Sequence, residues 1–142
     1  MTKKRTVRRS ETEGFYIKVL AASAFVSRLE PDRRHSYGTS AYITVEGTLD
    51  HPVSGRTKAL ISIHEDGGDH TTGTAIGLSA DYWQVVAFLP EPQFSHTLTF
   101  VANDKLDYCY IAVRGLKRGS GPVVSAGFHT PPVPSRAGES PF

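Results

Sequence analysis

Apolar and polar residues alternate along most of this chain with the period of two that a strand imposes when one face is buried and the other wet. Phe15, Ile17, Val19 and Ala21 alternate with Tyr16, Lys18 and Leu20. Apolar character then continues through Ala24, Phe25 and Val26, across a bulge expected near Ala22-Ser23. Arg28 to Gly38 is a polar loop punctuated by Pro31. The next alternation is the cleanest: Ala41, Ile43, Val45 and Leu49 take one parity, and Tyr42, Thr44, Glu46 and Thr48 the other. Asp50 to Gly55 supplies a turn, with Pro52 fixing φ and Gly55 permitting positive φ. Ala59, Ile61 and Ile63 form a second inward row, which leaves Ser62 and His64 on the outer parity.

Thr74–Leu78 is a short strand candidate beside Gly73 and Gly77. Tyr82–Leu89 is apolar on both parities and predicts a central strand, ended by Pro90 and Pro92. Leu98, Phe100 and Ala102 alternate with Thr97 and Thr99 and read as another strand before a tight turn at Asn103-Asp104-Lys105. Leu106–Val113 is again apolar on both parities, and a glycine-rich turn from Gly115 to Pro122 precedes a last strand, Val123–Phe128. No helix is predicted. Seven or eight short strands separated by turn signals predict an all-β fold, an antiparallel β-sandwich.

The segment Tyr108-x-Tyr110, Val113-Arg114, Gly119-x-Gly121-Pro122 and Thr130-Pro131-Pro132 resembles the last hairpin of fibronectin type III modules, at positions common to β-hairpins. That resemblance turns the expected sandwich toward the immunoglobulin-like kind. The predicted organisation is a basic flexible arm over 1–13, a sandwich domain over 14–128 and a Pro/Ser-rich flexible tail over 129–142.

Composition narrows this picture in three ways. The chain has 142 residues, 39% of them hydrophobic, enough for one domain with its own core. No apolar run approaches the roughly 18–20 residues of a membrane-spanning helix, so no membrane partner is expected. Cys109 is the only cysteine, which rules out an intrachain disulfide and a cysteine-rich zinc site within one chain. With a polar stretch after Lys3-Lys4-Arg5, this predicts a cytoplasmic protein. The formal charge is +2, but Lys3, Lys4, Arg5, Arg8 and Arg9 against Glu11 and Glu13 give the arm +3, and the body from Gly14 to Phe128 carries −1. The basic excess therefore lies in the arm, and the body has none to draw a polyanion.

Candidate chemistry concentrates in His64-Glu65-Asp66-Gly67-Gly68-Asp69-His70. Imidazoles and carboxylates suit a divalent ion, and His64, Asp66, Asp69 and His70 are its candidate ligands. The spacing matches no metal motif, and a solvated loop with Asp and Gly placed for turn geometry explains the same residues. No cofactor is otherwise called for. The arm residues Lys3, Lys4, Arg5, Arg8 and Arg9 could contact nucleic-acid phosphates, and equally form a solvated chain end. Gly115 to Gly121 lacks the Gly-Lys-Ser/Thr ending and following helix of a phosphate loop, and reads as a turn. No Gly-x-Ser-x-Gly elbow is present. Cys109, inside an apolar strand, reads as an inert core thiol. Trp83 shares its parity with Val85, Ala87 and Leu89 and reads as core, whereas Tyr42 is the best candidate for an exposed aromatic.

If every connection reverses direction, the loops at Arg28–Thr39, Asp66–Gly73, Pro90–Ser95 and Gly115–Gly121 share one end of the sandwich. Arg33, Arg34, His35, His96, Lys117 and Arg118 would then cluster there as a ligand-binding loop end. The functional expectation is a non-enzymatic module that binds a protein partner through this loop end or a sheet edge, with a homodimer through an edge strand as one form. The alternatives are a metal-dependent enzyme or metal-binding protein using the His64–His70 loop, nucleic-acid contact through the arm, and a carbohydrate-binding module resting on aromatic content.

Overall fold

A computed structural model describes residues 11–28, 39–66 and 72–129. Seven strands and one helix account for most of them: β1 (Thr12–Arg28), β2 (Thr39–Val53), β3 (Arg56–Glu65), β4 (Gly73–Leu78), β5 (Tyr82–Leu89), α1 (Glu91–Ala102), β6 (Tyr108–Arg114) and β7 (Gly121–His129). The strands close into a barrel in the order β1-β2-β3-β5-β4-β7-β6. All neighbours are antiparallel except β3 and β5, which run parallel with Ile61 opposite Val85.

The all-β expectation holds, but the architecture is a closed barrel rather than a sandwich. The physical reason lies in β1. Its first half, Thr12–Lys18, pairs with β6, while Ile17–Arg28 pairs with β2, so one long strand joins what would otherwise be two separate sheets. Period-two patterning is the same for either architecture, because both ask for one buried face.

The inward parities read from the sequence form the core. Phe15, Ile17, Ile43, Ile61, Ile63 and Trp83 are wholly buried, and each such side chain contributes about 1.5–3 kcal/mol by leaving water. The Trp83 indole donates its N–H to the Gly119 carbonyl at 2.8 Å, so the ring is buried without orphaning its one polar atom. Cys109 is a core thiol, and burial pushes its pKa well above the ordinary range.

The segment expected as a strand around Leu98 to Ala102 is instead the second half of α1. Pro90 is its N-cap, Glu91 sits in the first turn where a carboxylate favours the positive end of the helix dipole, and Pro92 loses no bond there. Phe94 and Thr97 are buried and Leu98 and Val101 pack against the core, the i, i+3, i+4, i+7 stripe of a helix. The Thr97 hydroxyl donates to the Gln93 carbonyl at 2.8 Å, which satisfies it inside this apolar stripe. The helix ends in a Schellman arrangement, with Asp104 N–H donating to the Val101 carbonyl and Lys105 N–H to that of Phe100. Asp104 takes the left-handed position at φ 57°, where glycine is usual.

The helix packs against β1, β3 and β5. It follows the C-terminal end of β5, which lies level with the C-terminal end of β3, where Glu65 pairs with Leu89. The far end of the barrel is closed by turns. Ser54 and Gly55 are both left-handed, as a two-residue hairpin loop requires, and Arg56 Nε donates to the Ser79 carbonyl at 2.9 Å to tie this turn to the next.

The single bulge of the β1–β2 pair lies at Leu20, between the pairs Val19–Gly47 and Ala21–Glu46. At that point β1 leaves β6. Val19 N–H still donates to the Asp107 carbonyl at 2.9 Å, but from Ala21 to Arg28 the strand pairs, among the described residues, with β2 alone. No helix among the described residues is long and apolar enough to cross a membrane.

Candidate binding surface

Two features meet at the helix-bearing end of the barrel. The first is the edge of β1 beyond the bulge, free among the described residues. From Leu20 to Ser27 it carries no ionisable residue, and Leu20 and Phe25 are 55% and 49% exposed. Edge strands in natural proteins are usually guarded by Lys, Pro or an inward charge, and none stands here.

The second is a row of rings on the outer face. Strand register sets Phe25 opposite Tyr42, Tyr42 opposite His64 and His64 opposite Phe88, one ring from each of β1, β2, β3 and β5. Their centroids lie 5.2, 5.9 and 5.8 Å apart with tilts near 33°, the spacing of side chains directly across neighbouring strands. Tyr42 is exposed, as its parity predicts. Beside this row lie the hydroxyl positions Ser23, Thr44 and Ser62, again in register. Ser62 Oγ is 2.8 Å from His64 Nε2, which fixes the imidazole within the row. Further down the same face, the Tyr82 phenol donates to Glu46 at 2.8 Å, and this hydrogen bond holds the tyrosine pKa above its ordinary value.

The predicted ligand set is only partly visible. His64 lies on the outer face of β3, half-buried among aromatic neighbours, and Asp66 follows the strand, its N–H donating to the Leu89 carbonyl at 2.7 Å. Asp69 and His70 lie outside the described residues, among which no group of three or more His, Cys, Asp or Glu is placed to hold a metal ion. Arg33, Arg34 and His35, and the arm residues Lys3, Lys4, Arg5, Arg8 and Arg9, also lie outside them.

The expected clustering of His96 with Lys117 and Arg118 does not occur. His96 is exposed on α1, whereas Lys117 and Arg118 form the exposed β6–β7 turn at the opposite end of the barrel. The alternation of loop ends counted Leu98–Ala102 as a strand. A helix that returns the chain to the same end removes one reversal and moves every later connection across.

Sequence reasoning also missed a cluster at that far end. His51 stacks on Phe15 at 4.4 Å between centroids, with Nδ1 2.8 Å from Asp50 and Nε2 3.5 Å from Glu13. The two carboxylates hold the imidazole flat over the core ring, so it acts as a plug. The only sequence signal was the place of Glu13 and His51 near the ends of two neighbouring strands. Comparison with protein-family models, curated proteins and solved structures finds no match for this chain.

Proposed function

We propose that this protein is a non-enzymatic binding module that takes an extended segment of a protein partner onto the free edge of β1. The reading rests on one observation above the rest: Leu20–Ser27 is a long, uncharged, partly apolar edge paired on one side only among the described residues. An added strand gains affinity from main-chain hydrogen bonds and specificity from alternate side chains. The bulge at Leu20 marks where the added strand begins, because β6 occupies the edge before it. A reduced cytoplasmic setting belongs to the same reading, with one buried thiol and no disulfide.

The test is selection of nonapeptides from a random library on the full chain, followed by hydrogen exchange. Selected peptides are expected to slow exchange of the Leu20–Arg28 amides and to lose binding to an Ala24→Lys variant. Peptides that protect another segment would overturn the reading.

The ring row favours a second reading, a carbohydrate-binding face. Flat apolar rings flanked by Ser23, Thr44 and Ser62 hydroxyls suit the two sides of a sugar, apolar C–H and polar O–H. A glycan array probed with the full chain and with Tyr42→Ala distinguishes it: glycan binding abolished by the substitution supports this reading, and absence of glycan binding removes it.

A further inference from the structure

We infer that the strand received by this edge is β1 of a second copy of the same chain, laid antiparallel about a two-fold axis through Ala24, an inference that rests on the edge reading above. Isologous pairing of this kind asks a surface to complement itself, and β1 does so in three respects.

Neutrality comes first. Leu20 to Ser27 has no ionisable side chain, so two copies bring no like charges together at the centre of the joint. Size is the second. About Ala24, each Ala24 faces its own copy and each Phe25 stands opposite Ser23 of the other, so a large residue meets a small one on both sides of the axis. The two Phe25 positions then fall on the diagonal of the pair, about 7–8 Å apart, a span that aromatic side chains bridge. The outer rows of the two molecules, each Phe25–Tyr42–His64–Phe88, thereby adjoin across one continuous sheet.

Charge at the ends of the joint is the third. The same register carries Arg28 of the second copy toward Leu20 of the first. There β1 and the end of α1 enclose a cleft of about 230 Å³ lined by Leu20, Ala22, Val101, Asp104, Leu106 and Asp107. Neither Asp104 nor Asp107 has an ion-pair partner among the described residues. Symmetry repeats the pairing, so each cleft lies beside the Arg28 position of the other copy. A neutral centre flanked by opposite charges fixes both direction and register, because a parallel strand or a slipped one leaves Arg28 away from the carboxylates.

Sedimentation velocity of the full chain over a concentration series tests this, with urea unfolding as the control for folding. The wild type is expected to show a reversible monomer–dimer equilibrium. Ala24→Lys sets two ammonium groups face to face on the axis and is expected to raise the dissociation constant at least about tenfold. Arg28→Asp is expected to loosen the dimer, and adding Asp104→Lys and Asp107→Lys to that variant to restore it. A chain that stays monomeric at every concentration overturns the inference, as does a dimer indifferent to Ala24→Lys or a charge reversal without rescue. A monomer whose Leu20–Arg28 amides are protected by selected peptides overturns the second copy and leaves the edge reading standing. A monomer in which no peptide protects them overturns both.

Discussion

The two phenylalanines of β1 occupy the same strand and the same sequence parity, yet Phe15 is wholly buried and Phe25 is half exposed. Phe15 lies in the half that pairs with β6, under His51 and against Trp83 at 4.9 Å between centroids. Phe25 lies in the half that pairs with β2, and the extra residue at Leu20 has reversed which parity faces inward. Before the bulge Phe15 and Ile17 point into the barrel; after it Ala22 packs toward the core and Phe25 joins Tyr42 outside. One inserted residue thus separates a core strand from a presenting strand.

The largest expected difference follows directly. Phe15→Ala is expected to cost about 3–5 kcal/mol, the usual range for emptying a packed core site. Phe25→Ala is expected to cost under about 1 kcal/mol, as at other exposed positions. Urea titration of both variants checks this, and equal losses would erase the distinction between the halves.

Deleting Leu20 attacks the comparison itself. With the bulge gone, Ala21 follows Val19 directly, so Ala22 stays inward and Phe25 stays outside beside Tyr42 in an unbroken ladder against β2. The expected change in stability is within about 1 kcal/mol, with the Phe25–Tyr42 ring contact kept. A loss as large as that of Phe15→Ala would mean that Leu20 does more than set the facing of the second half.

The smallest effect has opposite signs on the two halves of the problem. Asp104→Gly relieves a left-handed residue at the end of α1 and is expected to raise monomer stability by about 0.5–1 kcal/mol. The same change removes a carboxylate from the cleft beside the free edge, so the dimer is expected to weaken. Urea midpoints of the monomer and sedimentation of the dimer read the two effects separately.

The strands that alternate most strictly were legible because burial on one face leaves a direct trace in the order of residues. Ile43, Val45 and Leu49 with Ala59, Ile61 and Ile63 all lie where their parity placed them. The helix was hidden because Thr97 to Ala102 also alternates, and because a threonine occupies a buried position of its stripe. Phe94, Leu98 and Val101 carried the helical spacing, and Pro90-Glu91-Pro92 the start signal. Closure was illegible for a different reason: pairing of β1 with β6 joins residues far apart in sequence, and local periodicity carries no trace of partners. The ring row was hidden likewise. Tyr42 stood out alone, but its alignment with Phe25, His64 and Phe88 is a property of register between four strands. Of the proposed metal ligands, the described residues include His64 and Asp66.

Barrel closure also sets a clock. Thr12–Lys18 pairs with Tyr108–Arg114, so the first strand made is completed by nearly the last. At a synthesis rate of about 5–20 residues per second, that wait is on the order of 5–20 s. For that interval Phe15 and Ile17 lack the wall that buries them in the finished barrel. Long-range pairing of this kind also slows refolding of the whole chain. The order of synthesis therefore makes the nascent N-terminal strand the segment most in need of protection.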